Sequence, residues 1–152
     1  MLDKFIKWAM NNGWNVISTR EKTDLPDSIK RRYDIPVQWY NFICKIKVCE
    51  NQSATKWFLT ANDYYLQDNG FQWNDFEVQS LQYNDNEKSV ISYWDKHLPI
   101  ILCVDGDYSY FAINTKNGNI VYGCEPEYEV STVIAENFNI FINKIISGEI
   151  VL

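Results

Sequence analysis

His97-Leu98-Pro99, followed by the apolar run Ile100 to Val104, opens the stretch whose reading decides the fold. Asp105-Gly106-Asp107 is a turn signal, and Tyr108 to Ile113 then alternates aromatic and small residues. A second turn, Asn117-Gly118-Asn119, leads into Ile120-Val121-Tyr122. The loop Gly123-Cys124-Glu125-Pro126-Glu127-Tyr128-Glu129 follows, and it is acidic. Beyond it, Ile134, Phe138, Phe141, Ile142 and Ile145 recur at helical spacing, with Ser131 or Thr132 as the cap and Gly148 as the stop. Residues 97–148 therefore read as strands at 100–104, 108–113 and 120–123, an acidic loop, and a long helix lying across them.

Working outward, Leu2, Phe5, Ile6 and Ala9 give the first helix one apolar face, and Asn12-Gly13 ends it. Trp14, Val16 and Ser18 alternate weakly as a short strand. Leu25-Pro26 begins a helical turn up to Tyr33; Asp34 is the expected cap of a helix with Pro36 in its first turn. Val37, Tyr40, Ile43 and Cys44 would line the inner face of that helix, and Glu50-Asn51-Gln52-Ser53 reads as the loop that ends the pattern. Trp57-Phe58-Leu59 suits a brief strand, and Thr60 caps a turn over Ala61 to Leu66. Asn74 with Glu77 fits a capping box for a helix over Asp75 to Leu81. Val90, Ile91, Tyr93 and Trp94 make a helix ending near His97, where Leu98-Pro99 stops it. Helices come first, strands cluster late and a helix closes. The expected class is α+β: one domain over residues 1–152, its largely antiparallel sheet packed by N-terminal helices and a long C-terminal helix.

A chain of 152 residues buries enough surface to fold without a disulfide or a metal. Its net charge of −6 and pI near 4.7 argue against nucleic acid as a partner, because displacing phosphate counterions needs clustered Lys and Arg. Met1-Leu2-Asp3-Lys4-Phe5 is not the start of a signal peptide, and no apolar run is long enough to span a bilayer. Cys44, Cys49, Cys103 and Cys124 show no Cys-x-x-Cys spacing, so buried free thiols of a cytoplasmic protein are expected. One histidine leaves too few ligands for zinc, and no cofactor loop is signalled.

Glu125, Glu127 and Glu129, with Asp105 and Asp107 at a nearby turn, could in principle serve acid–base work. Such work needs a nucleophile, an oxyanion donor or a cofactor as well, and His97 sits at a helix end where the dipole favours an imidazolium. The reading is therefore non-enzymatic, and these acids are either a solvated turn or a charged binding edge. Tyr64, Tyr65, Phe71, Trp73 and Phe76 read as a stacking platform, or else Phe71, Trp73 and Phe76 plug one end of the sheet.

The chain resembles the SUKH superfamily, bacterial immunity proteins of polymorphic toxin systems with eukaryotic relatives that regulate cell-wall synthesis. The resemblance rests on Leu25-Pro26, Asp34-Ile35-Pro36, Trp39 to Ile43, Trp57 to Thr60 and Phe71 to Glu77. It is densest over Tyr93 to Ile100, Gly106 to Ile113 and Gly118 to Glu129, and ends on Ala135 to Phe138 with Phe141. It departs from the family at Glu50 to Ser53, where relatives often carry a Gly-rich turn. The resemblance implies an α+β fold, no catalytic residues, and the binding of a cognate protein toxin in the cytoplasm by a monomer or weak dimer. Other roles that fit are a regulatory protein-interaction module and a small-molecule or glycan site. Aromatic anchors and carboxylates that steer a basic partner single out Trp73, Asp75, Glu77, Asp105, Asp107, Tyr108, Glu125, Glu127, Tyr128 and Glu129 as the candidate binding residues.

Overall fold

In the computed structural model, which describes residues 1–152, the stretch 97–148 forms four strands and one helix. These are β4 (His97–Cys103), β5 (Ser109–Asn114), β6 (Ile120–Cys124), β7 (Ser131–Ala135) and α6 (Phe138–Ser147). Upstream lie α1 (Leu2–Asn11), β1 (Trp14–Ser18), α2 (Asp27–Arg32), α3 (Val37–Ile43), β2 (Ile46–Asn51) and β3 (Lys56–Phe58). A 3-10 turn at Ala61–Tyr64 leads to α4 (Asp75–Tyr83) and α5 (Glu87–Trp94). The seven strands stand side by side in chain order, every neighbouring pair antiparallel, so the α+β class holds. No helix is long and apolar enough to cross a membrane.

Strand alternation sorts the aromatic residues into two layers. Phe58 and Phe111 face one side of the sheet and meet Phe5, Phe42 and Phe141, which α1, α3 and α6 bring to it. Trp57 and Tyr110 face the other side and meet Phe71, Phe76 and Trp94, from α4, α5 and the segment before them. Both faces are covered at the centre, and β4 is buried from Leu98 to Cys103. Each buried Phe or Leu contributes about 1.5–3 kcal/mol. Trp73 and Phe76 are buried and Phe71 half-buried, so of the two readings of that aromatic run the plug is the one that the fold adopts.

Several local expectations are corrected. The long helix does not begin near Ile134: Ser131–Ala135 is β-branched enough to pair with β6, Val133 opposite Val121. Asn137, not Ser131 or Thr132, caps α6, its Oδ1 accepting the Ile140 N–H at 3.0 Å. Gly148 ends the helix as expected, in the left-handed conformation with φ 80°. The helix after Pro36, α3, stops at Ile43, and Glu50-Asn51 belongs to β2, whose Ile46 and Cys49 are buried. Its buried face is Trp39, Phe42 and Ile43; Val37 is exposed and Tyr40 half-buried. Asp34 caps nothing: Pro36 occupies that position, and the Asp34 carboxylate accepts from Lys116 Nζ at 2.6 Å.

Glu77 likewise does not close a capping box with Asn74. Its two oxygens accept from Arg32 Nη1 and Nη2 at 2.9 and 2.6 Å, and Arg32 Nε donates to Asp95 at 2.9 Å. One guanidinium on α2 thereby ties α4 to the end of α5. Burial opposes the Arg32 charge, but the Glu77 and Asp95 carboxylates outweigh it and hold its pKa above the ordinary value.

Candidate functional site

Two short segments face each other across a cleft of about 380 Å³. The first is the α4–α5 junction. Asn84 Oδ1 accepts the Asn86 N–H at 2.8 Å, and Asn86 Oδ1 caps α5 through the Ser89 N–H at 3.2 Å, fixing a tight Asn-Asp-Asn corner. Tyr83, just before it, is 84% exposed. The second segment is the acidic loop. Tyr108 and Glu125 bind each other twice, the Glu125 N–H to the Tyr108 carbonyl and the Tyr108 N–H to Glu125 Oε1, both at 2.8 Å. The Glu125–Pro126 peptide is cis.

Tyr128 turns inward between the two segments. Its ring stacks on Phe76 at 4.7 Å and its hydroxyl donates to Gln79 Oε1 at 3.1 Å. Its carbonyl accepts from the Tyr110 hydroxyl, which therefore has no hydrogen left for Tyr93 and accepts from the Tyr93 hydroxyl at 2.6 Å. Burial, with smaller contributions that include the nearby Glu129 charge, pushes the Tyr93 and Tyr110 phenols above their ordinary range. Tyr128 is pushed up to about 12 by burial, with the Glu125 charge adding to it.

The cleft is left with three carboxylates, Asp85, Glu127 and Glu129. None of them is in an ion pair, and no Lys, Arg or His lines the walls. Glu129 Oε1 is sealed from solvent and has no hydrogen-bond partner. The charge of the chain is also uneven. Residues 57–152 carry fourteen Asp and Glu against four basic residues, Lys88, Lys96, Lys116 and Lys144, so the excess of acid lies wholly in the part that builds the cleft.

Of the ten candidate residues, the cleft brings together Glu127, Tyr128 and Glu129, with Glu125 bracing the loop. Trp73, Glu77 and Tyr128 are buried, so none is an exposed anchor: Trp73 packs against Tyr64, Glu77 holds Arg32, and Tyr128 is a wall of the cleft. Asp75 accepts the Gln72 N–H at 2.8 Å, and Tyr108 sits edge-on to Phe71 and Phe76. Asp105 pairs with Lys56 at 3.4 Å, and it shares a separate hollow with Asp107, Lys56 and Cys103. The sequence reading missed Tyr83, Asp85 and Gln79. Asn84-Asp85-Asn86 was legible as a loop, but nothing local says that it faces a segment some forty residues later.

His97 begins β4 and does not end a helix. Its Nδ1–H donates to the Tyr93 carbonyl at 2.9 Å, its Nε2 accepts from Asn114 Nδ2 at 3.1 Å, and the ring stacks on Tyr93 at 4.1 Å. This pattern fixes a neutral tautomer, and burial, aided by Lys96, lowers the pKa from 6.5 despite the Tyr93 carbonyl. The folded state thus binds fewer protons here than the unfolded state. Stability should be full above pH 6.5 and decline as the pH falls below it towards the lowered pKa. Urea midpoints across that window check this, and His97→Gln should flatten the slope; an equal slope in the variant would assign it to other groups.

For the thiols burial outweighs the hydrogen bonds they make, Cys49 with the Phe58 backbone and Cys103 with Ser109. Burial pushes Cys49 up to about 12 and Cys103 up to about 11, which keeps them protonated and poor nucleophiles. All four cysteines are free, and no three His, Cys, Asp or Glu side chains gather to hold a metal ion. No protein-family model, curated protein or solved structure matches the chain.

Proposed function

We propose that the protein acts by binding: it is an intracellular immunity protein that neutralises a cognate toxin of a bacterial polymorphic toxin system. The observation that carries this reading is the open cleft whose three carboxylates have no cation of their own. An uncompensated acidic surface of this kind accelerates encounter with a basic protein and disfavours acidic ones. The likeness of the sequence to the SUKH pattern supports the same reading and supplies the class of partner. No group placed at the cleft is activated as a nucleophile, so neutralisation here means covering the active site or an essential surface of the toxin.

The test is co-expression with the toxin domain encoded in the neighbouring reading frame. Wild-type protein should restore growth, and toxin left fully active would end the proposal. Asp85→Lys combined with Glu127→Lys should slow association by about tenfold or more at low salt. Both side chains are exposed and unpaired, so the thermal midpoint should stay put. Glu125 is a poor choice for this test because its carboxylate holds the Tyr108 N–H.

A further inference from the structure

We propose that Asn69 is a modification site, the position at which the folded chain deamidates spontaneously. This is independent of the reading of the protein as a binder. Asparagine followed by glycine is the dipeptide in which that chemistry runs fastest, because no Cβ on the second residue hinders its amide nitrogen. The chain has three such pairs, Asn12-Gly13, Asn69-Gly70 and Asn117-Gly118. All three asparagines are exposed, so access to water does not choose between them.

Hydrogen bonding does choose. Asn12 ends α1 with its Nδ2 donating to the Trp8 carbonyl at 2.7 Å, which turns the side-chain amide back along the helix. At the second pair that is held, the Gly118 N–H donates to the Asn114 carbonyl at 2.7 Å, and Asn117 Oδ1 accepts the Asn119 N–H at 3.0 Å. Both reacting groups are therefore engaged there. At Asn69 neither is: its side chain and the Gly70 N–H have no partner in the protein. The bonds of this turn run instead to the Asn69 and Gly70 carbonyls, which accept from Gln72 Nε2 at 3.5 and 3.0 Å.

The reaction needs only water and a base. The base takes the Gly70 amide proton, the nitrogen attacks Asn69 Cγ, the Cγ–Nδ2 bond breaks and ammonia leaves. Water then opens the cyclic imide, on one side to aspartate and on the other to isoaspartate. Either product adds a negative charge beside Asp68. Isoaspartate also lengthens the main chain by a carbon just before Phe71, whose ring sits edge-on to Trp57 and Phe76 at 6.1 and 5.3 Å. That form displaces the ring.

The test incubates the full folded chain in mildly alkaline buffer, then digests it under acidic conditions and maps the products by mass spectrometry. A blocked peptide of residues 67–71 serves as the clock. Asn69 should convert about tenfold or more faster than Asn12 and Asn117, the factor set by a hydrogen bond that must open first. In urea the three sites should converge. Asn69→Gln closes the imide far more slowly, so it should remove the leading conversion and leave the thermal midpoint unchanged. Asn12 or Asn117 keeping pace with Asn69 would overturn the proposal, as would survival of all three while the peptide is consumed. A ranking that persists in urea would overturn it too, because neighbours in sequence would then set the rates. The isolated isoaspartate form should shift the Trp57 indole resonance, and an unmoved resonance would overturn the displacement of Phe71.

Discussion

Gly123→Ala should destabilise the domain by about 3 kcal/mol, more than its single added methyl suggests. Gly123 lies opposite Tyr110 in the β5–β6 pairing, and the Tyr110 ring lies over it. A Cβ built on Gly123 would stand 2.5 Å from the Tyr110 hydroxyl oxygen and 2.6 Å from Cζ. Neither atom can yield cheaply, since the hydroxyl is held by Tyr93 and by the Tyr128 carbonyl while the ring packs against Phe76 and Trp94. The ring must leave its place, which adds the loss of two buried hydrogen bonds to the overpacking. For a domain of this size the thermal midpoint should fall by roughly 10 °C. The cost should shrink in a Tyr110→Leu background, where the clash is gone, and that non-additivity is the signature of the contact. A loss below about 1 kcal/mol in the single variant would show that Tyr110 is not pinned.

Arg32→Met should have an effect of similar size, about 3 kcal/mol, at the low end for a broken buried pair because the guanidinium is partly open to water. The substitution keeps most of the stem but leaves the buried Glu77 carboxylate without its two donors. Arg32→Lys should fall between the two, since a point charge cannot reproduce the fork. Adding Glu77→Leu to Arg32→Met should recover much of the loss, because an apolar pair of similar volume removes the stranded charge. Chemical denaturation of the four proteins checks this, and no recovery in the double variant would mean that the Arg32–Asp95 contact carries the stability instead.

The strands of residues 97–124 were legible because turn residues bracket them and apolar residues fill them. Where the reading failed, two periodicities competed. Ile134 sits four residues before Phe138, so it joins the helical stripe on paper, yet the β-branched run around it pairs with β6. In α3, Val37 and Tyr40 share helical spacing with Ile43, but Trp39 and Phe42 offer more area and take the inside. The candidate site was only half legible. Glu127 and Glu129 announce themselves by charge; Asp85 is one acid in a polar loop and becomes part of a site only through the turn of the fold. Trp73 and Tyr128 show the converse, since large aromatics that look like anchors in a sequence are what a core of two aromatic layers consumes.

The chain-order sheet has one more consequence, which concerns how it assembles. The turns joining β4 to β5 and β5 to β6 are short, so those pairings close small loops and lose little chain entropy. The pairing of β3 with β4 must close across residues 59–96, at an added cost of about 2 kcal/mol from loop length alone, and it rests on only three residue pairs. Of the pairings between neighbouring strands, β3–β4 closes the longest loop. The residues that leave the sheet between β3 and β4 build α4, α5 and the corner between them, so one wall of the cleft is carried on the longest connection between neighbouring strands.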